Sequence, residues 1–316
     1  MGQIIYISST KGYTFSYVGG KERTKSGLGV VVSGFEEVKT GLSPWQVLLV
    51  EDRKKIALFF NSYQFSAAKD VADKLAKNLT GIDKALFECL SNLIEGYRLW
   101  DSFNHNEALK TLDQEVKKLS EYLNFKTDPI LKDFAESAKR NLEFLKTIKG
   151  NKEATLLDLF RNAQRRSEEG KYDDAVARLY RTLEMRGQIE FEKQFGCSTS
   201  DAKIKKLPES LRDEMGKKHT AHNGKIKIPL YGIFAVLKEA DNEFGKLFFK
   251  RREEMDRTLF ARNSSILAHG LNPVSEETFK KLSSIVKDFL GCTRAERVES
   301  LITTFGDDIF PKLRWE

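Results

Sequence analysis

Residues 260–271 read Phe260-Ala261-Arg262-Asn263-Ser264-Ser265-Ile266-Leu267-Ala268-His269-Gly270-Leu271. The run reads as helix, and Arg262 and His269 stand seven positions apart in it, close to two turns at about 3.6 residues per turn. On that spacing both project from nearly one line of a helix face. Asn263 sits one step round, and Ser264 and Ser265 add hydroxyls nearby. Leu259, Phe260, Ile266 and Leu267 flank the patch as candidate core. A permanently charged guanidinium beside an imidazole that titrates near neutrality suits phosphodiester chemistry. The arginine can hold a phosphate through two donors, and the histidine can move a proton. The same residues also suit a plain helix end, with His269 favoured by the dipole and Gly270 at the C′ position.

Outward from this stretch, apolar spacing predicts helices over most of the chain. Phe65, Ala68, Val71, Ala72, Leu75 and Leu79 follow a helical pattern. Further helices are expected over 83–99, 106–122, 129–148, 154–168, 173–194, 276–290 and 294–304, with a long or broken one over 230–268. Gly150-Asn151 and Gly170 read as breaks, and Ser275-Glu276-Glu277-Thr278 behind Pro273 as a capped start. His105–Leu112 and Asp173–Leu179 echo each other, each like a turn entering the second helix of a tetratricopeptide-like hairpin. Residues 196–229 are polar and Lys-rich, contain Pro208 and Gly216, and read as a long loop. Ahead of Ser62 the texture is that of strands and turns. Ile4–Ile7, Tyr13–Val18, Gly27–Val32, Val47–Val50 and Lys55–Phe60 are the strand candidates.

The 316 residues are enough for two or more domains, and the formal net charge of +7 is compatible with a polyanionic partner. Cys89, Cys197 and Cys292 form no CxxC pair and no disulfide framework, which points to a reducing cytoplasm. No apolar run is long enough for a membrane span, and the N-terminus lacks the features of a signal peptide. His219 and His222 have metal-ligand spacing, but Lys217 and Lys218 adjoin them and no third ligand is near. A solvated loop or an RNA-contacting patch is expected there, with no metal. The basic runs Arg161/Arg165/Arg166 and Arg178/Arg181/Arg186 read as solvated faces paired with neighbouring glutamates. Arg251 and Arg252, just ahead of the motif, are the first candidates for an RNA backbone track.

Arg262-Asn263, then His269-Gly270, resembles the R-X4–6-H motif of the HEPN ribonuclease superfamily, in the version found in CRISPR-associated CARF–HEPN proteins. Glu169 to Arg181 looks like the helical segment that precedes HEPN in that family. Tyr17 to Arg23 with Gly27–Val31 looks like the end of a CARF domain. The resemblance covers nearly the whole chain and implies metal-independent cleavage of single-stranded RNA without a cofactor. Arg262 and His269 would be catalytic, with Asn263 in support. It further implies a homodimer pairing two motifs, with no DNA or membrane partner, and cyclic oligoadenylate as an allosteric activator. Gly19, Gly20, Lys21 and Arg23 are the candidate remnant of the activator site, a hairpin turn being the other reading. Where the family has a Thr-Gly-Gly-Thr-Lys-like loop this chain has Ser8-Ser9-Thr10-Lys11-Gly12 with almost nothing before it. The CARF domain is therefore expected to be truncated.

The expected fold is mainly α. A short β-rich remnant of a Rossmann-like CARF domain (1–62) would precede a helical connector (63–150) and a HEPN-type helical domain (151–316). The function expected is an endoribonuclease in CRISPR antiviral defence. Two rivals stay open: an inactive helical RNA-binding or interaction module, and an autonomous HEPN toxin.

Overall fold

A computed structural model of the chain describes residues 16–20, 36–40, 44–267, 270–291, 301 and 310–315. The fold is mainly helical. It divides into two units, Met1–Lys139 with Pro311–Glu316, and Arg140–Phe310.

The first unit begins with an antiparallel pair, β1 (Ser16–Gly20) and β2 (Glu36–Thr40), in register from Ser16↔Thr40 to Gly20↔Glu36. Four consecutive neighbouring helices follow: α1 (Pro44–Asn61), α2 (Phe65–Asn78), α3 (Gly81–Asp101) and α4 (His105–Phe125). The expected β-rich remnant is not supported. The strand candidates Val47–Val50 and Lys55–Phe60 both lie inside α1. Ile56, Ala57 and Phe60 are buried, a one-sided helical spacing that short β-branched windows conceal. Pro44 begins the helix at a position where its missing N–H costs nothing. Ile4–Ile7 and Gly27–Val32 lie outside the described residues. The core is aromatic. Phe60 meets Phe65, Tyr97 and Phe134 edge-to-face at centroid distances of 5.4, 5.3 and 5.6 Å, and Trp100 stacks on Tyr97.

Residues 311–315 return to this unit as a strap. The Asn61 side chain donates to the Leu313 carbonyl and accepts from its N–H, both at 2.8 Å. Lys312 donates to the Asn61 carbonyl and the Tyr63 hydroxyl. Arg53 lies over the Trp315 ring at 5.4 Å.

The helix α5 (Pro129–Ile148) runs across the division between the units. The second unit then contains α6 (Lys152–Glu168), α7 (Tyr172–Phe195), α8 (Glu209–His219), α9 (Leu230–Glu239), α10 (Glu243–Lys250), α11 (Arg252–Asn263) and α12 (Glu276–Gly291). The central α7 packs against α6, α9, α11 and α12. Gly187 allows the close approach of α9, since a Cβ there would lie 3.0 Å from Ile233 Cγ2 and 3.2 Å from Phe234 Cζ. Phe234 stacks on Phe248 at 4.4 Å and meets Phe289 edge-to-face.

Three expectations change here. Residues 196–229 are not a structureless loop. They contain the short 3₁₀ turn Ile204–Lys206, α8 and two isolated bridges to Ile226. Ala202, Leu207, Met215, Ile226 and Ile228 supply their buried anchors. The helix expected over 230–268 is three helices ending at Asn263. Arg161, Arg165 and Arg186 are buried rather than solvated. Arg161 lies over Phe144, Arg165 over Phe310 at 4.0 Å and Arg186 over Phe244 at 5.1 Å. The aromatic faces receive the guanidinium planes, and Glu153 takes both terminal nitrogens of Arg186 at 3.1 and 2.7 Å.

The turns after α1, α3, α6 and α9 close alike. Tyr63, Phe103, Gly170 and Asp241 adopt φ of 60°, 61°, 72° and 59°. Each donates its N–H to the carbonyl three residues back, and the following residue donates to the carbonyl five residues back. This is a left-handed helix cap that turns the chain directly into the next helix.

Candidate active site

The motif lies where α11 ends. Ser264 caps the helix, donating its N–H to the Arg262 and Phe260 carbonyls. The chain then folds back, with Gly270 N–H donating to Ser265 and Asn272 N–H to Ser264, each at 3.1 Å. The helix therefore stops one residue after Arg262, short of the two turns that the seven-residue spacing suggested. Two adjacent serines compete with the helix ladder for backbone partners and favour a stop. A Cβ on Gly270 would collide with the Ser264 carbonyl, so the fold-back needs a glycine at that position. His269 lies outside the described residues.

Arg262 is held by two contacts. Its guanidinium carbon stands 4.7 Å from the centroid of the Tyr180 ring, on α7. One terminal nitrogen donates to Asn263 Oδ1 at 3.0 Å. The structure thus brings Asn263 to Arg262. Tyr180 is half-buried. Burial pushes its hydroxyl above the usual tyrosine range, the Glu184 carboxylate adds to this, and Arg262 opposes it. The hydroxyl stays protonated at neutral pH. Glu184 is engaged elsewhere, accepting from Arg181 at 3.0 Å, and Arg181 also donates to Gln188. Sequence reasoning missed Tyr180, because the pairing is tertiary and leaves no local pattern.

The apolar residues around the motif are not core. Phe260, Ile266, Leu267 and Leu271 are 72%, 64%, 56% and 85% exposed. They flank Arg262 and Asn263 in sequence as exposed apolar residues of the second unit.

Arg251 and Arg252 sit where α10 passes into α11. Arg251 pairs with Glu254 and Asp288. Its hydrogen bond to Glu254, with the Asp288 and Glu254 charges, holds its pKa above the usual arginine value against the opposing effect of burial. Arg252 is exposed, pairs loosely with Asp256 at 3.6 Å and lies over Tyr231 at 5.6 Å. His219 ends α8 and His222 follows in the next turn. Among the described residues no cluster of three His, Cys, Asp or Glu side chains has metal-binding geometry. Gly19 and Gly20 are in β1 opposite Glu37 and Glu36, not in a turn, and Lys21 and Arg23 lie outside the described residues. No helix among the described residues is long and apolar enough to cross a membrane.

Two family models match consecutive stretches of the chain. The Csm6 6H domain matches residues 48–145 and the Csm6 HEPN domain residues 145–293. The second match contains the whole Arg262–His269 stretch. The chain belongs to the CRISPR-associated Csm6 HEPN-type family. Its HEPN domain is that of a ribonuclease family, which gives it an RNA-related function. No curated protein matches the chain.

Proposed function

We propose that the protein is an endoribonuclease that cleaves single-stranded RNA in CRISPR antiviral defence, with Arg262 and His269 as its catalytic pair. The observation that carries this reading is the HEPN match over 145–293, which encloses both residues. The reaction needs no metal. The RNA 2′-hydroxyl attacks the adjacent phosphorus, the bond to the 5′-oxygen breaks, and a 2′,3′-cyclic phosphate and a 5′-hydroxyl result. Arg262 stabilises the charge that builds on the phosphoryl oxygens. His269 takes the proton of the attacking hydroxyl or supplies the one the leaving oxygen needs. One imidazole does not serve both ends of the displacement, and a second copy of the chain supplies the other.

The exposed apolar residues Phe260, Ile266, Leu267 and Leu271 support that dimer, since apolar surface of this kind marks contact sites. Arg252 is the first candidate for the backbone track, being more exposed than Arg251. Cyclic oligoadenylate is the proposed activator, on the strength of the family alone.

The test is cleavage of a fluorescent single-stranded RNA in EDTA, with and without cyclic tetra- and hexa-adenylate. Arg262→Ala and His269→Ala are expected to abolish cleavage while keeping the helical circular dichroism and melting behaviour. Undiminished cleavage by both purified variants would remove the catalytic assignment.

A further inference from the structure

Arg262 differs from its neighbours in how it is held. On α7 and at the start and along the length of α11, Arg178 pairs with Asp174 at 3.0 Å, Arg181 with Glu184, Arg251 with Glu254 and Asp288, Arg252 with Asp256 and Arg257 with Glu253. Each is bound to a carboxylate. Among the described residues Arg262 makes no such pair. A tyrosine face and an amide oxygen hold it instead.

The distinction is electrostatic. A carboxylate within 4 Å offsets a guanidinium's charge and competes with an incoming phosphate for the same donors. An aromatic ring attracts the guanidinium through its quadrupole and presents no formal charge. It fixes the plane of the group and leaves the in-plane donors free to turn outward. Asn263 uses one donor through a neutral acceptor, a weaker bond than a charged pair. A carboxylate that could disturb this arrangement is Glu184, one helical turn from Tyr180 on α7 and close enough to shift the Tyr180 hydroxyl. Arg181 occupies it.

We infer that Tyr180 is a positioning residue for the phosphate-binding arginine: its ring orients Arg262 without neutralising it, while Arg181 keeps the Glu184 carboxylate engaged. This rests on the reading of Arg262 as catalytic and adds the device that keeps its charge unpaired and its plane aimed. The hydroxyl of Tyr180 has no part in it, so the ring alone is required.

The experiment compares Tyr180→Phe, Tyr180→Leu and Arg262→Ala, alone and combined, in steady-state RNA cleavage. Tyr180→Phe keeps the aromatic face and is expected to retain activity within about twofold. Tyr180→Leu keeps bulk and loses the face. Its kcat is expected to fall about three- to thirty-fold, the range of an arginine–aromatic contact, with KM little changed and the melting temperature preserved. In the Arg262→Ala background, where no cleavage is left to lose, the pair is compared by binding of the RNA, and Tyr180→Leu is expected to add nothing to the loss, since the two act through one contact. Wild-type kcat in Tyr180→Leu, or equal losses in Tyr180→Phe and Tyr180→Leu, would overturn the inference while leaving a dead Arg262→Ala to uphold the catalytic reading. Full activity in Arg262→Ala would overturn both.

Discussion

Asp241 shows how much one backbone angle can cost. It holds φ of 59° with its side chain largely in solvent, and its ion pair with Lys246 is exposed and worth little. A non-glycine residue in the left-handed region carries strain of about 1 kcal/mol or more, partly offset on substitution by the extra freedom glycine has when unfolded. Asp241→Gly is therefore expected to stabilise the fold by about 0.5 kcal/mol and raise the thermal midpoint by about 1–2 °C. Asp241→Ala, which keeps the strain, is expected to give no gain; calorimetry of the three proteins tests the order. Of the four turns built this way, that at Gly170 announced itself as a break and that before His105 through its echo of Asp173–Leu179. Tyr63 and Phe103 are residues that statistics place elsewhere, because tertiary contacts such as the Lys312 bond to Tyr63 repay the strain, whereas aspartate tolerates the left-handed region better than most side chains. Arg262 and Asn263 were legible as a polar patch for the opposite reason, being adjacent in the chain. Tyr180 was not, since only folding brings α7 beneath α11.

At the level of elements, the N-terminus of α6 is tied to the middle of α7 by one carboxylate. Asn151 caps α6 through the N–H groups of Glu153 and Ala154, and Glu153 accepts from Arg186 and from Lys193, the latter at 2.9 Å. Burial alone would raise the Glu153 pKa, but Arg186 and Lys193 outweigh it and bring it below 4.5. A carboxylate whose folded pKa is depressed stabilises the protein above its unfolded pKa. That contribution is lost as pH falls from about 4.5 through the lower folded value. Glu153→Gln is expected to cost about 2–3 kcal/mol at pH 7. The difference in thermal midpoint from wild type should close on acidification below pH 4.5. A constant difference down to pH 3 would contradict the pairing. Helices between residues 65 and 195 were readable from apolar spacing alone. This network was not, because Arg161, Arg165 and Arg186 look like surface until Phe144, Phe310, Phe244 and Glu153 are placed against them. The α1 helix was misread because its buried residues fall within windows that also suit short strands.

At the level of the whole molecule, the apolar residues around the motif set the expected state of association. Phe260→Asp and Leu271→Asp place charges on positions that are 72% and 85% exposed, so neither disturbs the interior. Light scattering is expected to show a shift from dimer to monomer, accompanied by loss of RNA cleavage. Dimeric mass retained in the double variant would remove this face from the interface. The strap of residues 311–315 has a different consequence, one of loop closure. Leu313 lies 252 positions beyond Asn61, so the first unit gains these hydrogen bonds only by closing the chain over every residue from 140 to 310. Each doubling of such a loop adds only about 0.6 kcal/mol to the cost of closing it, so the length of the intervening unit is little hindrance to the strap.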